Sequence, residues 1–211
     1  MALNAQLVRD FYAHMTQRFG ARVVPKGSAL EMKLAAEFLE LGRLFGMELP
    51  DRESFASYYV TTFGSTIYTP FKPGEPMDVW DLWSQIEVLA HECEHVDQKR
   101  RRAHGAHELD YLTSTPKRAH IEAEAYRVNM ELMVWRYGRL NADAPHLLAR
   151  KLKDYGCSVE DVLFVERHLR SSMTSVSNGA VISVAAYEAL RWLEQRAPEL
   201  RASDAPTRLR P

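Results

Sequence analysis

Leu3, Leu7, Phe11 and Met15 recur at steps of four ahead of Gly20, a spacing that places them on one face of a helix over residues 3–19 with a glycine beyond its end. A second helix is predicted from Ser28, where Ser28 and Glu31 form a capping-box pair, through Leu30, Leu34, Phe38, Leu41 and Phe45 to Gly46. The period changes after Pro50. Tyr58 to Phe71 is dominated by aromatic and β-branched residues with Gly64 in the middle, the pattern of a strand or hairpin whose glycine makes a turn or bulge. Pro70, Pro73, Gly74 and Pro76 then require a loop.

A third helix is predicted after that loop, capped by Asp78 with Asp81 three positions on, and carrying Leu82, Ile86, Leu89, Cys93 and Val96 to the basic run Lys99 to Arg102. His104 to Thr115 reads as a polar loop. Pro116 suits a first helical position, and Ile121, Val128, Leu132 and Trp135 pattern the helix that follows to Gly138. Helices are further predicted over about residues 145–155, from Ser158 with its capping partner Asp161 to about Arg170, and from about Ala180 to Arg196. Residues 1–200 read as one domain and 201–211, which lack an apolar pattern, as a flexible tail. The fold class is α+β, predominantly helical.

Composition narrows the function classes. The chain has 211 residues, of which 46% are hydrophobic and 26% charged, so a sizeable core is available and disorder is excluded. A net charge of -1 provides no global field toward nucleic acid or an anionic membrane, so neither is an expected partner. Cys93 and Cys157 are too few for a disulfide framework. The first ten residues are interrupted by Asn4, Gln6, Arg9 and Asp10, unlike a secretory signal, and the apolar stretch from Gly179 to Leu190 is too short to cross a bilayer. A soluble, cytoplasmic protein is expected.

The chemistry lies in His91-Glu92-Cys93-Glu94-His95, an H-E-x-x-H string inside the third patterned helix. Histidines four apart stand one turn apart, so both imidazoles can reach one metal ion. With His91 at zero, His95 falls at about 40° and Glu92 at about 100°, while Leu82, Ile86, Leu89, Cys93 and Val96 fall between about 140° and 220°. An apolar stripe can therefore anchor the helix while the rings face a cleft. Two neutral imidazoles and a carboxylate suit one zinc ion with an open position, and Glu92 is placed to act as general base. The bland alternative is a pair of solvated histidines on an exposed face.

These residues resemble the zincin metallopeptidases, and within them the small gluzincin (minigluzincin) type, over roughly residues 58–138. The resemblance implies a small sheet whose edge strand precedes the motif helix, and a glutamate on a later helix as third zinc ligand. That glutamate often stands in E-x-x-A, which Glu122-Ala123-Glu124-Ala125 matches with Glu122 as ligand. Tyr126 stands where some relatives carry Asp or Asn. The helical wheel by itself leaves Glu122 and Glu124 open. Asn129 and Tyr126 lie on the Glu122 face and could orient a ligand. The family's edge strand aligns an extended substrate, a role for part of residues 58–68, and its oxyanion is often steadied by a Tyr, His or Arg, for which Tyr111, His120, Tyr137, Tyr155 and His168 are candidates.

The expected activity is zinc-dependent hydrolysis of a peptide or protein substrate. The alternatives are a non-enzymatic helical protein that binds metal or a partner, and a peptidase dedicated to one protein such as a repressor. Lys99 to Arg102 is expected to be a solvated helix end that complements the dipole, and Cys93 a small core residue. His104, His107, Glu108 and Asp110 form a second polar cluster in which an ion is not expected. No serine-nucleophile elbow or phosphate-binding glycine loop is present.

Overall fold

The computed structural model describes residues 2–26, 58–102 and 106–208; the predicted helix from Ser28 to Gly46 lies outside them. Helix α1 (Ala5–Phe19) is capped by Asn4, whose side chain accepts from the Leu7 N–H at 2.9 Å, and ends at Gly20 in the left-handed region. Strand β1 (Arg22–Pro25) follows, then β2 (Thr61–Phe63) and β3 (Thr66–Thr69), joined by a tight turn at Gly64 and Ser65. The sheet order is β1-β3-β2, with β1 parallel and β2 antiparallel to β3. Among the described residues β2 is therefore an edge strand. β1 was not legible in the chain because four residues are too short for a period to show.

Helix α2 (Leu82–Arg100) begins at Asp81, whose carboxylate accepts from the Ser84 N–H at 2.7 Å. Asp78, the predicted cap, instead lies in a turn between Met77 and Trp80, whose backbones pair with each other. The predicted loop from His104 to Thr115 is mostly helix α3 (Ala106–Thr113), held by burial of His107 and Leu112. Helix α4 (Thr115–Tyr137) is capped by Ser114, has Pro116 in its first turn and ends at Gly138. Helix α5 (Ala144–Arg150) runs into a 3-10 turn (Lys151–Tyr155). The reciprocal capping box of Ser158 and Asp161 starts helix α6 (Val159–Ser177). α6 continues past the predicted end at Arg170 because Val176 still has core to fill. Helix α7 (Val184–Arg196) starts four residues later than its pattern suggested.

Two apolar clusters share α4. One gathers Phe11 and Met15 of α1, Ile86, Leu89 and Cys93 of α2, and Ala189 and Leu193 of α7 against Val128, Leu132 and Trp135. The other packs Ala123, Met130 and Val134 of α4 against Leu148 of α5 and Val165 and Leu169 of α6. α4 is thus buried on two faces, which is why a single apolar stripe could not rank Glu122 against Glu124. The predicted loose tail is packed as far as Arg208. The Ala202 N–H donates to Trp135 O at 3.1 Å, Arg136 donates to Leu200 O at 2.7 Å, and Arg208 pairs with Glu194 at 3.0 Å. Gly138, at φ 74°, lies where a Cβ would run into the Asp204 carboxylate, so glycine is needed there for both conformation and space. Among the described residues no helix is long and apolar enough to cross a membrane.

Candidate metal centre

The centre is built where α2 crosses α4. His91 and His95 stand one turn apart on α2, and Glu122 projects from the second turn of α4. All three are buried, at 8%, 7% and 3% exposure, which excludes the solvated-histidine alternative. His91 Nε2 lies 3.5 Å from one Glu122 oxygen and His95 Nε2 lies 3.6 Å from the other. One ligand atom from each of the three lies within 4.8 Å of the others, so the group could hold a metal ion.

The other side of each imidazole determines what Nε2 can do. His95 Nδ1 lies 2.9 Å from Gln98 Oε1, and the Gln98 amide nitrogen donates to Ile121 O at 2.8 Å and to Glu124 at 3.0 Å. Both of the latter atoms are pure acceptors, so the amide orientation is fixed and Gln98 must accept from His95 Nδ1–H. His91 Nδ1 makes the matching 2.9 Å contact with Asn129 Oδ1. With the protons on Nδ1, both Nε2 lone pairs face Glu122. Lone pairs facing a carboxylate repel unless a cation sits between them, and 3.5 to 3.6 Å is long for a hydrogen bond. Ligands about 2.0 to 2.1 Å from one tetrahedral ion stand about 3.4 Å apart. The donor set and its spacing fit such an ion.

The pocket favours positive charge between these groups. Burial pushes Glu122 up, but positive charge at the His95 and His91 positions and the Tyr111 hydroxyl pull it down to about 2, so it stays a carboxylate. Burial pulls His91 down, and Glu122, Glu92 and Asn129 raise it overall, the mark of a position that favours positive charge. Tyr111 donates to Glu122 Oε1 at 2.8 Å. Arg118, buried, donates to Tyr111 O at 2.8 Å and Tyr155 O at 2.7 Å, holding both tyrosines behind the centre. Helical spacing alone could have flagged Gln98, three residues after His95. Nothing in the string marks Arg118 or Thr62, whose contacts cross between elements.

Each candidate now has a place. Glu92 points to the sheet, where Thr62 of β2 donates to its Oε2 at 2.7 Å. Glu124 faces Gln98 and Arg101 rather than the imidazoles. Glu94 is structural, accepting from the Ala185 N–H at 3.1 Å and pairing with Arg101 at 3.0 Å. Tyr126 packs on the His91 ring with centroids 5.2 Å apart. Of the oxyanion candidates, Tyr155 lines the cleft beside His91 and Glu92, Tyr111 is engaged with Glu122, His120 and His168 pack together with Phe164, and Tyr137 is exposed. Burial first, then Glu122, keeps Tyr111 and Tyr155 protonated far above the ordinary phenol range. Cys93 is in the core.

The second polar cluster disperses. Glu108 pairs with Lys99 at 2.7 Å, Asp110 pairs with Lys117 at 2.5 Å and Arg102 at 3.4 Å, and His104 lies outside the described residues. His107 is buried with its ring 6.4 Å from that of His95, and burial followed by His95 and Arg102 lowers it to about 4. Lys99, Arg101 and Arg102 of the basic run are accordingly engaged with carboxylates. Beside the centre opens a cleft of about 400 Å³ that reaches from His91 and Glu92 to Trp80, Glu87 and Tyr155. The chain matches no known protein family, no curated protein and no solved structure.

Proposed function

We propose that the chain is a zinc-dependent peptidase of the small gluzincin type, with His91, His95 and Glu122 as ligands and Glu92 as general base. The carrying observation is the pair of imidazoles whose Nδ1 protons are taken up by Gln98 and Asn129, leaving both Nε2 atoms 3.5 to 3.6 Å from one buried carboxylate. Bound zinc would supply Lewis acidity, acidifying water and polarising a carbonyl. Glu92 takes the proton of the attacking water and delivers it to the leaving nitrogen as the C–N bond breaks. Thr62 holds one Glu92 oxygen, which leaves the other for that proton. The Tyr155 hydroxyl, half-buried and protonated at the cleft wall, is the donor offered to the carbonyl oxygen. β2, at the sheet edge next to Glu92, offers its backbone to an extended substrate.

The test is metal content per chain in the wild type, His95→Ala and Glu92→Gln, followed by digestion of a peptide library. Zinc near one per chain is expected in the wild type and Glu92→Gln, and near zero in His95→Ala. Cleavage is expected in the wild type alone, with Glu92→Gln slower by at least about 100-fold. Stoichiometric zinc without cleavage of any peptide or protein would favour a non-enzymatic metal-binding protein, and equal activity in Glu92→Gln would remove Glu92 from its role.

A further inference from the structure

The cleft carries a carboxylate that hydrolysis does not use. Glu87 lies one turn before His91 on α2 and lines the same cavity as His91 and Glu92. Its carboxylate is largely buried, with the Trp83 indole N–H as its neighbour on the same helix. Lys151 and Asp154 also line the cavity, so its carboxylates, with Glu92, outnumber its one lysine. Val60, Trp80, Val88 and Tyr126 give part of the wall an apolar or aromatic surface, beside the polar Ser84 and Asn129. Such a wall suits an aliphatic stem, and aromatic faces tolerate a cation at its end.

The geometry points to Glu87 as the specificity determinant of a subsite for a lysine or arginine side chain next to the scissile bond. This inference rests on the peptidase reading and gives it a substrate class. Four residues of helix separate Glu87 from His91 by about 6 Å along the axis. A lysine stem has a reach of roughly 6 Å from Cα to ammonium, so a residue whose peptide bond sits at the metal centre can set its charge against Glu87. Burial, opposed by Trp83 and Lys151, has raised Glu87 to about 7. A substrate cation would add to the partial compensation that Trp83 and Lys151 give this carboxyl.

The test uses two fluorescein-labelled peptide pools, identical except that lysine or norleucine is fixed on either side of the central bond. Binding is read by anisotropy on zinc-loaded Glu92→Gln chain, and cleavage on the wild type. The lysine pool is expected to bind at least 10-fold tighter than the norleucine pool. Adding Glu87→Gln should bring the two within about 2-fold, with zinc content and norleucine binding unchanged. Glu87→Lys should reverse the charge preference, favouring a glutamate pool over a glutamine pool. Equal binding of lysine and norleucine, no binding of either, or a lysine preference that survives Glu87→Gln overturns the subsite. Cleavage without preference removes the subsite and leaves the peptidase; a Glu87-dependent binding preference without cleavage does the reverse.

Discussion

Asn129 is the residue whose role can be read most directly from one contact. Its carbonyl oxygen takes the Nδ1 proton of His91 at 2.9 Å, so the ring cannot turn or change tautomer without breaking that bond. Orienting groups of this kind typically contribute 10- to 100-fold in metal affinity. Asn129→Leu, similar in volume but unable to accept, should therefore weaken zinc binding about 10- to 100-fold in a chelator competition while the fold is retained. An affinity within 2-fold of the wild type would show that the contact orients nothing. His91 and His95 were legible as candidate ligands from their helical spacing, and Glu122 only through the resemblance carried by E-x-x-A, because the wheel left it level with Glu124. Their supports were less so: Asn129 emerged from spacing on the Glu122 face, whereas Thr62 and Arg118 act across elements that no local pattern relates.

At the scale of elements, helix ends were the most legible features and strand pairing the least. Gly20, Gly138 and Ser158 stop or start helices through contacts within three or four residues, which a local reading can follow, whereas Asp81 caps α2 in place of the expected Asp78 and Ser114 caps α4 from within the expected loop. β1 depends on Thr66 to Thr69, more than 40 residues away, and α3 on packing. The start of α7 is a case between these extremes, because its first N–H groups are taken by distant carboxylates. Glu131 accepts from Ile182 at 3.0 Å and Ser183 at 3.3 Å, and Glu94 from Ala185. Burial outweighs these donors and Arg127, raising Glu131 from 4.5 to about 7. Between those values the folded chain holds a proton that the unfolded chain has lost, so stability falls as pH rises through the window. Relative to Glu131→Gln, the wild type should lose up to roughly 3 kcal/mol between pH 5 and pH 8, measured by urea unfolding. A difference independent of pH would show that Glu131 stays ionised throughout.

The described residues are organised around α2 and α4, which carry the three candidate ligands and contribute to the apolar clusters. An ion bound only by the folded chain at about 100 times its dissociation constant adds about 2.7 kcal/mol. For a chain of this size that corresponds to about 5 to 10 °C. Chelator should lower the melting temperature of the wild type by this amount and leave His95→Ala unmoved; an equal shift in both would place the stabilising ion elsewhere. The Gln98 amide, which touches His95, the Ile121 carbonyl and Glu124 together, links two positions that otherwise look independent. Exchanging Gln98 for glutamate would make a stronger partner for the imidazole but would set a second anion against Glu124 and strand the Ile121 carbonyl. An anionic histidine partner at position 98 is therefore better tolerated when position 124 is neutralised as well, although the Ile121 carbonyl still loses its donor.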